Sequence, residues 1–224
     1  MTALEAVGEI PVVFFMVPNV LDAPFLTEQP EWRKRLAGVP ADVAPDEQFR
    51  WIARLQPTCR RLGVLFSGRT KRTLDALTLA GAKHHITVEG IDAERDELPR
   101  AIEALNQRGC DGVLMIPDSR VYGSMEVERL LLWGLRGKKP VWGFSAGTVK
   151  AGAFAGQFIE PERAGVDAAD VIMRILNGAT AESVGIKYAQ SIRRVVNVHT
   201  AGMIGASLEP VRSDTGVERV GDRP

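Results

Sequence analysis

Gly143-Phe144-Ser145-Ala146-Gly147 spells G-x-S-x-G, the turn that presents a serine as a nucleophile between a strand and a helix. A hydrolase built on it needs an acid and a histidine further along, and Asp167 or Asp170 followed by His199 occurs in that order. Against this, the pattern is short and permissive, and no H-G-G-G-type oxyanion segment precedes it. Two more segments place small, polar or charged groups directly after apolar runs: Ser67-Gly68-Arg69-Thr70 and Pro117-Asp118-Ser119-Arg120. The first could hold an anion at a helix start but lacks the G-x-x-x-x-G-K-[ST] of a nucleotide loop. Any one of these serines and aspartates can equally be a helix cap or a turn residue. His84 and His85 point to opposite sides of a strand and have no carboxylate or cysteine partner at ligand spacing, which argues against a metal site. Cys59 and Cys110 form no C-x-x-C pair, so neither a disulfide scaffold nor a cysteine metal site is indicated. No cofactor is expected.

The elements that must position these groups alternate. Short β-branched runs at 11–17, 62–66, 86–91, 112–116, 140–142 and 195–198 are separated, in most cases, by segments with helical spacing of apolar residues. The clearest helices are expected over 46–55, 72–83, 98–107, 124–135 and 163–176, with Gly109 and Gly178 as stops after two of them. Strand starts near 62, 86, 112 and 140 recur at intervals that fit βαβ units, which require a parallel sheet with right-handed crossovers. The class is α/β. In such sheets ligands collect at the carboxyl ends of the strands, where the 67–70, 117–120 and 143–147 loops would all lie.

Composition excludes several classes. The 224 residues carry 28 Lys+Arg against 28 Asp+Glu, so no whole-chain field would concentrate nucleic acid or an anionic membrane. The apolar run near the start follows Glu5 and Glu9 and no Lys or Arg, the opposite of a secretory leader, and no segment reaches the roughly 20 apolar residues of a membrane span. By itself the chain reads as unexported.

Pro11-Val12-Val13-Phe14, then Gly38-Val39, then Leu55-Gln56-Pro57, then Arg61-Leu62-Gly63-Val64-Leu65-Phe66-Ser67 form an order of motifs that resembles the TrpX-like substrate-binding proteins of ABC transporters. Asp111-Gly112-Val113-Leu114-Met115-Ile116-Pro117-Asp118-Ser119 is similar to the family's strand with its Asp-Asn or Asp-Ser step. Pro140-Val141-Trp142-Gly143 with Val149-Lys150-Ala151-Gly152-Ala153 is similar to P-V-[FW]-G…V-K-x-G-A, which accounts for Ser145 without a nucleophile. Ile175-Leu176-Asn177-Gly178 and Val196-Asn197 with Thr200-Ala201 and Gly205 continue the likeness, which runs from about 9 to 210.

That resemblance implies a periplasmic-binding-protein-like fold: two α/β lobes closing over a small ligand, often an amino acid, in an interlobe cleft. It implies binding without catalysis, a transporter permease as partner and a periplasmic or membrane-associated setting. Carried over by motif, the ligand-binding residues are Asn19, Ser67, Thr70, Asp118, Ser119, Ser145 and Glu160. Asp118 would pair with a ligand ammonium while Ser67, Thr70 and helix N-termini receive its carboxylate. Asn19 puts a neutral amide where the family has a carboxylate, and Phe144 stands where many members have a small polar residue. Residues 1–58, with 191–210 returning, are expected to form a partial first lobe, 59–190 the complete second lobe, and 211–224 a tail. Because family members carry βα units ahead of the 11–17 strand, the first lobe would lack units here and invite completion by a second copy. A cytoplasmic place of action, a serine hydrolase and a ligandless remnant are the alternatives.

Overall fold

β-branched and leucine runs alternating with amphipathic segments fold as β/α units throughout residues 8–28 and 30–221, the part of the chain the computed structural model describes. In chain order the elements are β1 (Val12–Val17), α1 (Pro24–Thr27), β2 (Leu36–Pro40), α2 (Pro45–Leu55), β3 (Arg61–Phe66), α3 (Lys71–Lys83) and β4 (Thr87–Asp92). They continue with α4 (Leu98–Gln107), β5 (Gly112–Leu114), α5 (Ser124–Gly137), β6 (Val141–Gly143), α6 (Ala146–Lys150) and β7 (Ala155–Ile159). The last are α7 (Pro161–Leu176), α8 (Ala181–Val184), β8 (Ile192–Asn197), α9 (Val198–Ile204) and β9 (Val217–Val220).

The chain divides into two compact units, the first holding residues up to Val43 together with Ile159–Ile192, the second Ala44–Phe158 together with the chain from Arg193. The second unit contains a seven-stranded sheet in the order β4-β3-β5-β6-β7-β8-β9, and every pair with a defined register is parallel. Its central strands are apolar almost without interruption because helices cover both faces. Phe49, Ile52 and Leu55 of α2 with Leu77 of α3 pack on one face, against Leu62, Val64, Leu114 and Trp142. Leu98 and Leu105 of α4 with Leu130 and Leu131 of α5 pack on the other, against Leu65, Val113 and Val141. Pro45 opens α2 where its missing N–H costs nothing, and Asp46 and Glu47 sit in the first turn, where the helix dipole favours acids.

The first unit is built on the parallel pair β1–β2, with Gly38 also bridging to Ile186. Phe14, Val20, Leu26 and Leu36 pack on one side of this pair. Ala37 and Val39 meet Ala164, Ala168 and Val171 of α7 on the other.

The division of the chain differs from the one expected from sequence. The 163–176 helix belongs with β1 and β2, not with the large sheet, because its apolar stripe is shaped to their α7-facing side chains. The 195–198 strand does not return to the first unit: β8 joins the large sheet, and the expected tail supplies β9, which pairs with it from Arg194↔Val217 to Asn197↔Val220. α2 likewise lies in the second unit, packed on α3. Among the described residues no helix is long and apolar enough to cross a membrane.

Candidate functional site

The strand order places a topological switch in the second unit. From β3 the chain adds β4 on one side and then crosses back to lay β5 on the other, so the loops after β3 and β5 leave the sheet side by side in opposite senses. Such a divergence is the standard ligand crevice of an open parallel sheet. The 67–70 loop and the 115–123 loop border it.

Those two loops are tied together by Asp118. Its Oδ2 accepts hydrogen bonds from Ser67 Oγ at 2.8 Å, Thr70 Oγ1 at 2.7 Å and Ser67 N at 3.1 Å; Oδ1 accepts from Arg120 N at 2.9 Å. Thr70 Oγ1 also accepts from Ser67 N at 3.2 Å, so the loop is cross-braced. Ser67, Thr70 and Asp118 are all buried. Burial by itself would raise the Asp118 carboxyl, but the hydrogen bonds from Thr70, Ser67 and the Arg120 amide outweigh it and hold the group below its ordinary value. The structure brings these three residues to one place, with four loop donors on the Asp118 carboxylate. Ser119, next in the chain, is exposed.

Ser145 is a helix cap. Its Oγ accepts from Thr148 N at 3.1 Å, while Thr148 Oγ1 donates to Ser145 O at 2.8 Å and accepts from Ser145 N at 3.1 Å, a reciprocal box at the start of α6. Gly143 is required by the same turn, since a Cβ there would collide with Thr148 Oγ1 and press on Ala153. The G-x-S-x-G pattern is therefore satisfied by capping geometry, and no hydrogen bond joins Ser145 to a histidine among the described residues. Asp167 and Asp170 lie on α7 of the first unit.

Asn19 and Glu160 also fall in the first unit. Asn19 takes the left-handed conformation (φ 48°), which asparagine tolerates well. Its backbone N–H and that of Val20 donate to Asp42 Oδ1 and Oδ2 at 2.8 and 2.9 Å. Asp42, at the end of β2, was not singled out from sequence; burial raises its carboxyl, against the two backbone bonds. Glu160 precedes α7 and lies 3.6 Å from Arg163 Nε. Of the paired histidines, His84 Nε2 meets Asp46 Oδ1 at 3.1 Å, and no cluster of three or more metal-binding side chains occurs among the described residues.

Tyr122 is the second group the sequence did not single out. It sits four residues after Asp118, its ring tilted against Phe144 with centroids 6.3 Å apart. Its buried hydroxyl has no hydrogen-bond partner among the described residues, and burial, with the nearby Asp118 charge, pushes its ionisation up. A polar tip on an aromatic following a strand end is the signal that marks it.

Residues 1–209 match the family described as ABC transporter substrate binding protein. A search of curated proteins finds no match. Among solved structures, the chain is similar to a ligand-free, open substrate-binding protein with adhesive properties from Clostridium difficile, at TM-score 0.71 and 19% identity, covering 99% of this chain and 74% of that one. It is also similar to an ABC domain from Streptococcus pneumonia in complex with L-Trp, at TM-score 0.70 and 19% identity over 96% of this chain and 75% of that one. A conserved domain protein from Vibrio cholerae gives TM-score 0.68 at 23% identity, over 96% and 74% of the two chains. These likenesses establish the α/β, periplasmic-binding-protein-like fold.

Proposed function

From a chain that belongs to the family of ABC transporter substrate-binding proteins, we propose a protein that captures a small molecule without altering it and delivers it to a membrane permease, outside the cytoplasmic membrane. The family match over residues 1–209 is the observation that carries this reading. The ligand proposed is an amino acid or a compound of like size and polarity; the L-Trp bound by the Streptococcus protein supports that class.

The site proposed is the crevice bordered by the 67–70 and 115–123 loops. Asp118 holds that rim in shape through Ser67 and Thr70, and exposed Ser119 offers a hydroxyl beside it. Partly exposed Phe144, backed by the buried Tyr122 ring, supplies aromatic surface, which favours a ligand with an apolar side chain. Asn19, Ser145 and Glu160 remain proposed contributors, Asn19 and Ser145 chiefly through the backbone they shape. The non-catalytic reading is supported by the engagement of the Ser145 hydroxyl with Thr148.

Thermal unfolding with each common amino acid at millimolar concentration tests the proposal. A ligand at 100 times its Kd adds about 2.7 kcal/mol, a Tm rise of roughly 5–10 °C for a chain of this size. Absence of any shift across amino acids, together with turnover of an ester by the wild type that Ser145→Ala abolishes, would replace binding with hydrolysis.

A further inference from the structure

The chain passes between its two units three times, after Val43, Phe158 and Ile192. On the first-unit side the passages share one anchor. Val43 and Ile159 are buried in the apolar cluster built on β2 and α7, and Ile192 packs against it, a hold that owes nothing to charge.

The second-unit side is held differently. Arg193 and Arg194 open the part of β8 that belongs to that unit, and as successive strand residues they point to opposite faces of the sheet. Arg193 lies over the ring of Phe158, the last second-unit residue of the middle passage, with Cζ 5.4 Å from the ring centroid. Its Nε donates to Glu218 Oε2 of β9 at 2.8 Å, and Nη2 reaches the same oxygen. On the other face Arg194 lies over Trp51 at 5.7 Å, and its Nη2 stands 3.5 Å from Glu47 Oε2. Trp51 and Glu47 belong to α2, whose first residue is Pro45, two after Val43. The arginine pair at the third passage therefore reaches the second across one face and the first across the other, entirely within the second unit. Arg54 sits over the same Trp51 ring at 5.9 Å, so that ring keeps a cation when Arg194 is replaced.

Little chain is left to bend. Ile159 follows Phe158 and Arg193 follows Ile192 directly, so in two passages an anchored residue of one unit adjoins an anchored residue of the other. In the first, Ala44 stands alone between buried Val43 and Pro45, whose ring fixes φ. Any reorientation of the units has to be absorbed by those few backbone dihedrals. Half-buried ion pairs such as Arg193–Glu218 and Arg194–Glu47 are weak singly and are screened by salt, whose Debye length falls from about 10 Å at 0.1 M to about 3 Å at 1 M. We infer that Arg193 and Arg194 are positioning residues for ligand capture: they hold the second-unit ends of all three passages in one relation, and so make the freedom of the units to reorient depend on ionic strength. Without that hold more conformations must be ordered on binding, which lowers affinity. The link to affinity rests on the binding function proposed above; the link to reorientation does not.

Spin labels on Leu79→Cys in α3 and Arg174→Cys in α7, both exposed and one in each unit, report the spread of inter-unit distances in the full chain without ligand. Cys59 and Cys110 are buried and stay unlabelled. The expected spread is narrow at about 0.05 M NaCl and about 1.5 times wider at about 1 M, whereas Arg193→Met with Arg194→Met is wide at both. Should that variant lose its circular dichroism signal, Glu47→Gln with Glu218→Gln removes the charges from the other side. Arg108→Met, which loses a pair with Glu89 away from the passages, should follow the wild type. Titration with L-tryptophan should show about three- to tenfold weaker binding by the arginine variant at low salt and equal binding at high salt. A wild-type spread that salt leaves unchanged, or an arginine variant as narrow as wild type, would overturn the inference. So would reduced urea stability of that variant with its spread unchanged, the mark of a merely structural role. Equal low-salt binding by variant and wild type overturns the link to affinity; absence of binding by both counts against the ligand class, and the label distances still decide the role of the arginines.

Discussion

Replacing Asp118 with asparagine separates its two roles. In the wild type three donors converge on Oδ2 and one on Oδ1, all within 3.1 Å, inside a buried loop. An asparagine can keep its oxygen toward Ser67 and Thr70, but its amide nitrogen then confronts the Arg120 N–H, donor against donor. Losing the charge from three bonds costs about 1 kcal/mol each at most, and an unmet buried donor about 1–3 kcal/mol; since such terms do not add, about 2–4 kcal/mol is expected in total. Urea unfolding followed by tryptophan fluorescence reads this directly, because Trp51, Trp133 and Trp142 all lie in the second unit. The loss should also depend on pH. A carboxyl held below its unfolded value stabilises the fold above about pH 4, and that stabilisation disappears as the pH falls through its lowered folded value, so wild type and variant should converge in acid. A variant within about 0.5 kcal/mol of wild type at pH 7 that no longer binds ligand would refute the reasoning, since the carboxylate would then be serving the ligand and not the loop.

Ser145→Ala removes an N-cap and should cost about 1 kcal/mol in urea unfolding while leaving any ester hydrolysis at background. Asp42 shows the reverse linkage of Asp118: burial raises its carboxyl, so its contribution is complete below about pH 4 and is lost as the pH rises through the raised folded value. Asp42→Asn should flatten that pH slope in hydrogen exchange of the Asn19 and Val20 amides. The Cys59 thiol is pushed up to about 12 by burial and the neighbouring Asp111 charge, so at pH 8 a disulfide reagent should react with it only as fast as the second unit opens.

The β/α rhythm was legible because β3, β4 and β5 are separated by helices with clear apolar faces, and those strands fall where the pattern placed them to within a few residues. β2, β7 and β9 were not. Leu-Ala-Gly-Val-Pro and Ala-Gly-Gln-Phe-Ile are short and carry glycine, and Val-Glu-Arg-Val has no apolar run, so each is a strand only because a neighbour pairs with it. Membership of the units was also hidden: α7 follows β7 directly but packs on strands from the start of the chain, and local pattern cannot report a partner so distant. In the site, the strand-end rule groups Ser67, Thr70 and Asp118 from sequence, but saturation of a carboxylate by four donors is a property of three-dimensional geometry. The Ser145–Thr148 capping spacing was present in the sequence, where the nucleophile pattern overlay it.

The interruption of the first unit by the whole of Ala44–Phe158 has a consequence for biosynthesis. β1 and β2 leave the ribosome ahead of the intervening unit, and the helix that covers their inner face is translated only after it. At about 5–20 residues per second, Ala37 and Val39 await α7 for on the order of 10 s. The second unit meanwhile has β3 to β6 and their helices already in hand and can begin to condense. The nascent chain should therefore engage holdase chaperones through β1 and β2, and slowing translation between Ala44 and Phe158 should lower the yield of native protein by prolonging that exposure.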